Sequence, residues 1–117
     1  MNNSNENDLI QWSDFSKIDM RVGTVLSCEI FKTARKPAYI MTVDFGELGI
    51  RKTSAQITKL YEVESLIGKQ VIAVVNFPPK QIANIMSECL VLGAVGDSDE
   101  VTLLQPERKT TNGTRIG

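Results

Sequence analysis

The chain has 117 residues, 42% of them apolar, and carries 13 Lys and Arg against 14 Asp and Glu, a formal net charge of −1. That is length enough for one hydrophobic core, with the composition of a folded domain. It contains no histidine and two cysteines, which removes Ser-His and Cys-His nucleophile pairs and imidazole ligands for zinc, so no catalytic residue, metal site or cofactor is expected.

Asn, Ser, Glu and Asp dominate residues 1–8, a composition too polar to offset the entropy of ordering, and a flexible arm is expected over residues 1–12 with a single domain over 13–117. The arm is acidic rather than basic followed by apolar, so no signal peptide is expected, and no apolar run reaches the roughly 20 residues that span a bilayer. Cytoplasmic placement follows, with Cys28 and Cys89 as buried, reduced core thiols. Ser13 to Ile18 joins a capping-type residue to apolar positions three apart, which predicts one helical turn plugging the entrance to a core.

From Met20 the period becomes two. Met20, Val22, Leu26, Cys28 and Ile30 alternate with polar or small residues, and Val25 breaks the rule, which predicts a long strand with a bend or bulge. Ala34-Arg35-Lys36-Pro37 interrupts it as a loop with two cations at its tip. Tyr39, Met41, Val43 and Phe45 alternate, Gly46 and Gly49 bracket a short connection, and Ile50–Ile57 completes a hairpin. Thr58–Gly68 reads as a short helix closed by Gly68. Val71–Val75 reads as a strand buried on both faces, ended by Asn76-Phe77-Pro78-Pro79-Lys80. Phe77, Pro78, Pro79, Ile82, Ile85 and Met86 then form an apolar cluster on what reads as a loop and short turn; it caps the bottom of the fold, or it meets a second subunit or a bound partner. Glu88–Val95 and Val101–Leu104 are the last strands, joined by an acidic turn over 96–100. Five or six short strands with one helical insertion fit an all-β fold, a small Greek-key barrel.

The near-zero net charge conceals an uneven distribution. Residues 32–59 carry a net +4, against −3 before them and −2 after them. These cations are either the solvated face of a hairpin or an anion-attracting patch.

Two stretches are more specific than strand propensity. Phe15-Ser-Lys-Ile-Asp-Met-Arg-Val-Gly23 resembles the opening signature of the tRNA-binding domains of methionyl- and phenylalanyl-tRNA synthetases and of endothelial-monocyte-activating-polypeptide cytokines. Val75-Asn-Phe-Pro-Pro-Lys-Gln-Ile82 with Met86-Ser-Glu-Cys-Leu-Val-Leu-Gly93 resembles the second signature. Ala34–Tyr39, Val43–Gly46, Thr53–Thr58, Leu104–Pro106 and Asn112–Ile116 resemble one branch, the CsaA-type protein-export chaperones. The resemblance implies an OB-fold barrel with terminal extensions, and a homodimer that holds unfolded or precursor polypeptides and assists their export without catalysis. It also implies an ancestral tRNA-binding surface. The RNA-binding relatives usually carry Gly where Cys89 stands and more cations around the Pro-rich turn, where only Lys80 stands, so tRNA binding is expected to be weak.

On the holding reading, peptide contacts come from Phe77, Pro78, Ile82, Ile85 and Met86, assisted by Tyr39 and the neighbouring cations, with Ser54 and Gln56 bonding a client backbone. On the RNA reading, Arg35, Lys36, Arg51, Lys52 and Lys80 meet phosphates while Asn76, Met86 and Ser87 lie near bases. Asp44, Glu47 and Glu88 are the carboxylates available for acid–base chemistry, and no spacing pairs them with a nucleophile. Trp12, Phe15, Leu103 and Leu104 make both ends apolar, which predicts exchange of terminal segments across a dimer axis, the alternative being that the ends pack on their own barrel.

Overall fold

The computed structural model describes residues 8–117, so residues 1–7 of the expected arm lie outside the described residues. Helix α1, Trp12–Ser16, starts two residues earlier than Ser13 predicts: the Asp14 carboxylate accepts the Gln11 backbone N–H at 2.8 Å, and Ser13 lies inside the helix. The expected core plug is corrected. No α1 residue is buried, and Trp12, 75% exposed, instead packs tilted against Phe15 with ring centroids 5.4 Å apart. The fully buried Leu66, on the later helix α2, Val63–Leu66, packs into the core instead.

Strand β1, Met20–Ile30, pairs antiparallel with β2, Tyr39–Asp44, through Thr24–Ile30 and with β4, Gln70–Val74, through Met20–Thr24. One strand thus serves two sheet edges, as a barrel's first strand must. The register slips between Val25 and Ser27, leaving Leu26 unpaired. This bulge is what breaks the alternation: Val25 turns into the core and Leu26 turns out to solvent. At Gly23 a Cβ would sit 2.6 Å from Val43 Cγ1 and 2.7 Å from the Phe45 ring, so only glycine admits the Phe45 side chain there.

A tight turn over Gly46–Leu48 joins β2 to β3, Ile50–Ala55, which pairs with β2 along its full length. Beyond α2, Gly68 takes φ +91° as the predicted helix terminator. The two-residue strand β7, Leu90–Val91, pairs with β4, giving a five-stranded antiparallel sheet in the order β3-β2-β1-β4-β7. The sheet curls until β3 meets the chain entering β7. There Glu88 N–H donates to the Lys52 carbonyl at 2.8 Å and the Thr53 hydroxyl to the Cys89 carbonyl at 2.8 Å. The result is a nearly closed all-β barrel of the OB type, as predicted. Met41, Val43, Phe45, Leu66 and Val71 fill it, and Cys28 and Cys89 are buried and unbridged.

Between β4 and β7 the chain makes a second hairpin, β5, Lys80–Ile82, and β6, Ile85–Ser87, a two-stranded sheet of its own. The segment predicted as loop and turn is therefore regular structure, a correction. A third hairpin joins β8, Gly93–Val95, to β9, Val101–Leu103. The C-terminal segment returns along β1: Thr114 accepts Val22 N–H at 3.0 Å, Gly113 N–H donates to Val22 at 2.7 Å, and the Asn112 side chain accepts the Thr24 hydroxyl at 2.7 Å. This end packs on its own barrel, the alternative to exchange of the C-terminal segment.

Candidate functional site

The β5–β6 hairpin stands against β3 and creates a hollow on each side of itself. Alternation places Lys80, Ile82, Ile85 and Ser87 on its barrel-facing side and Gln81 and Met86 on the other. Its root is held by the Ser87 hydroxyl, which accepts Ser54 N–H at 3.2 Å. Its tip is held by the Thr33 hydroxyl, which donates to the Asn84 side chain at 2.8 Å. The turn between them puts Ala83 at φ +50°, a conformation that favours glycine.

The first hollow, about 490 Å³, lies between the hairpin tip and the loop after β1, with Arg35, Lys36, Ser54, Gln56 and Ile82 in its wall. The second, about 310 Å³, lies at the hairpin root between Phe77, Pro78, Lys80 and Leu90. Ser54 and Ile82 border both, so the two adjoin. Phe77 is 56% exposed and Leu90 49% exposed, leaving an apolar surface beside hydroxyl and amide groups. Three cations enter the walls: Arg35 and Lys36 at one hollow and Lys80 at the other. The ion pairs among the described residues, Arg21–Asp19 and Arg108–Glu107, involve none of the three.

Of the predicted peptide contacts, Phe77, Pro78, Ile82, Ser54 and Gln56 line this site. Three do not. Tyr39 is 6% exposed, its hydroxyl donating to the Tyr61 carbonyl at 2.7 Å inside the core. Ile85 is half-buried at the turn, and Met86 is exposed on the hairpin's outer side; neither borders a hollow. Leu90 and Thr33 complete the site and were missing from the predicted set. Alternation from the buried Cys89 is the signal that turns Leu90 outward.

The predicted phosphate and base contacts divide in the same way. Arg35, Lys36, Lys52 and Lys80 are accessible. Arg51 is half-buried and donates to the Val75 carbonyl at 2.6 Å, tying β3 to the end of β4. Asn76 spends its amide on the junction between α1 and β1, accepting Asp19 N–H at 3.0 Å and donating to the Lys17 carbonyl at 2.7 Å. Ser87 is spent on the barrel seam. The carboxylates are structural too: Asp44 accepts Gly46 N–H and Glu88 accepts Lys52 N–H, each at 2.8 Å. Burial pushes the Cys28 and Cys89 thiols up to about 11, so neither supplies a thiolate near neutral pH. No cluster of three or more metal-ligating side chains occurs among the described residues, and none of their helices is long and apolar enough to cross a membrane.

The model of the putative tRNA binding domain family matches residues 20–115. Among solved structures, the chaperone CsaA of Bacillus anthracis is 52% identical with a TM-score of 0.90, covering 93% of this chain and 99% of that one. The CsaA chaperone protein of Picrophilus torridus is 51% identical with a TM-score of 0.87, covering 93% and 100%. The methionine–tRNA ligase of Methanococcoides burtonii is 41% identical over 109 residues, 93% of this chain and 16% of that protein. The chain thus spans about a sixth of the length of the curated relatives it matches.

Proposed function

Because the chain belongs to the tRNA-binding-domain family and is of its CsaA type, we propose that it is a holding chaperone which binds unfolded or precursor polypeptides reversibly at the two hollows flanking β5–β6. The observation that carries this reading is the exposed apolar pair Phe77 and Leu90 set beside Ser54, Gln56 and three cations in adjoining depressions. Apolar side chains of a client leave water there while its backbone finds hydrogen-bond partners. No group in the site is set up for bond making, so the action is binding alone, in the cytosol and in service of export. The test is fluorescence anisotropy of a labelled unstructured peptide against the protein and its Phe77→Ser, Leu90→Ser double variant. Binding that the double variant loses supports the reading, and equal binding refutes it.

Assembly as a homodimer belongs to the same proposal. The C-terminal segment is engaged on its own β1, so the contact falls to α1, where Ile10, Trp12 and Phe15 leave an apolar hollow of about 510 Å³. Sedimentation of a Trp12→Ser variant that remains dimeric would refute that placement.

A second reading is favoured by the family itself: a tRNA-binding module that meets phosphates through Arg35, Lys36, Lys52 and Lys80. With Asn76, Ser87 and Arg51 committed to internal bonds, few groups are left for base contacts. Affinity would rest on a handful of cations and fall steeply with salt.

A further inference from the structure

The β5–β6 hairpin leaves one of its long edges unpaired, and that edge borders the hollows. β6 lies toward β3, held by the Ser54–Ser87 bond, while β5 pairs with β6 and with no other strand among the described residues. The two-residue turn Ala83–Asn84 makes Ile82 and Ile85 the hydrogen-bonded closing pair, so the next pair, Gln81 and Met86, is non-hydrogen-bonded. The Gln81 N–H and C=O therefore point away from β6, and Gln81 is exposed. Pro78 and Pro79 precede the strand and bring no N–H of their own, which confines the open edge to the stretch around Gln81.

We infer that this edge reads the client's main chain: an extended polypeptide adds as a third strand beside β5, exchanging two backbone hydrogen bonds with Gln81. This inference rests on the holding reading and gives it a recognition mode. Successive side chains of an added strand alternate between faces, so those on one face repeat every ~6.7 Å and point toward Ile82 and the hollows, while the others point to solvent. Main-chain bonds are the same for any sequence. The hollows need only tolerate apolar side chains, which suits a protein whose clients share unfoldedness rather than sequence. One short edge gives modest affinity, as release requires.

The test is anisotropy of a labelled, unstructured Leu/Ser/Asp decapeptide with the full chain and two variants. Gln81→Pro removes the outward N–H without touching a backbone bond between β5 and β6, since proline is admissible on a strand edge, and with it goes the bond the Gln81 side chain donates to the Ala83 carbonyl at 3.3 Å. Gln81→Ala keeps that N–H and loses the same side-chain bond to the Ala83 carbonyl, so the two variants differ in the backbone donor. Gln81→Ala is expected to bind as the unaltered protein does, and Gln81→Pro about tenfold more weakly, with circular dichroism unchanged. The same peptide N-methylated at every backbone position is expected to bind at least tenfold more weakly to the unaltered protein, a measurement that decides the matter even where Gln81→Pro fails to fold. Equal binding of the N-methylated peptide, or of a folded Gln81→Pro variant, overturns strand addition and leaves the holding reading standing. Absence of binding of the parent peptide to the unaltered protein overturns both.

Discussion

Lys52 and Glu88 exchange two hydrogen bonds across the barrel's closing seam. The Glu88 N–H donates to the Lys52 carbonyl and the Lys52 N–H donates to the Glu88 carboxylate, both at 2.8 Å. One side chain thereby stands in for a ladder rung that β3 and β7 do not form. The same seam fixes Ser87 against Ser54 and so sets the height of the β5–β6 hairpin over the candidate groove.

Thr53 sits at the centre of that seam, wholly buried, with its hydroxyl donating to the Cys89 carbonyl at 2.8 Å. Thr53→Val keeps the shape and removes the donor. The expected cost is about 1–3 kcal/mol in urea unfolding, because the carbonyl loses a partner away from water. Client affinity falls with it, since the hairpin root loosens. A neutral substitution would show that the seam bears no strain on this bond.

Gly23→Ala places a methyl group 2.6 Å from Val43 Cγ1 and against the Phe45 ring. Both neighbours are fully buried and cannot retreat. Loss of about 1–3 kcal/mol is expected from thermal melting, as for overpacking elsewhere.

How much of this was legible in the sequence follows from which interactions were local. The alternation of Tyr39, Met41 and Val43 announced β2, and Gly68 announced the end of α2, because period and backbone handedness are written residue by residue. The bulge at Leu26 was visible only as a broken rule at Val25; which of the two turned inward depended on pairing with β2. The hairpin over residues 80–87 was missed because its turn is Ala83–Asn84 rather than an Asn-Gly pair and its first strand follows two prolines. Tyr39, Arg51, Asn76 and Ser87 have the chemistry of binding residues. Their partners, Tyr61, Val75, Asp19 and Ser54, lie far along the chain or across the barrel, and no local pattern reveals that those groups are already spent.

Asp19 answers acid. The Arg21 guanidinium, bonded to it at 2.6 Å, holds its carboxyl below the ordinary 3.8. A folded-state value below the unfolded one gives stability that is present above about pH 4 and lost as pH falls through the folded value. Urea midpoints of the unaltered protein and Asp19→Asn are therefore expected to differ near neutral pH and to converge in acid. Parallel curves would contradict the assignment.

Cys28 and Cys89 answer alkali with the opposite sign. Their values, pushed up to about 11 by burial, exceed the ordinary 9.0, so their contribution is intact below pH 9 and is lost as pH rises through about 11. Modification by iodoacetamide at pH 8 is expected to proceed only as fast as the protein opens, and to accelerate sharply in denaturant. Rapid labelling of the native protein would place a thiol at the surface.

The holding claim is tested most directly by light scattering from a chemically unfolded client diluted into buffer with increasing amounts of the protein, at low and at high salt. Suppression of aggregation is expected in both salts, because apolar burial at Phe77 and Leu90 strengthens or holds as charges are screened, and is expected to vanish for the Phe77→Ser, Leu90→Ser double variant. Aggregation that proceeds unchanged in the presence of the folded, unaltered protein, or suppression that the double variant reproduces in full, would contradict the account.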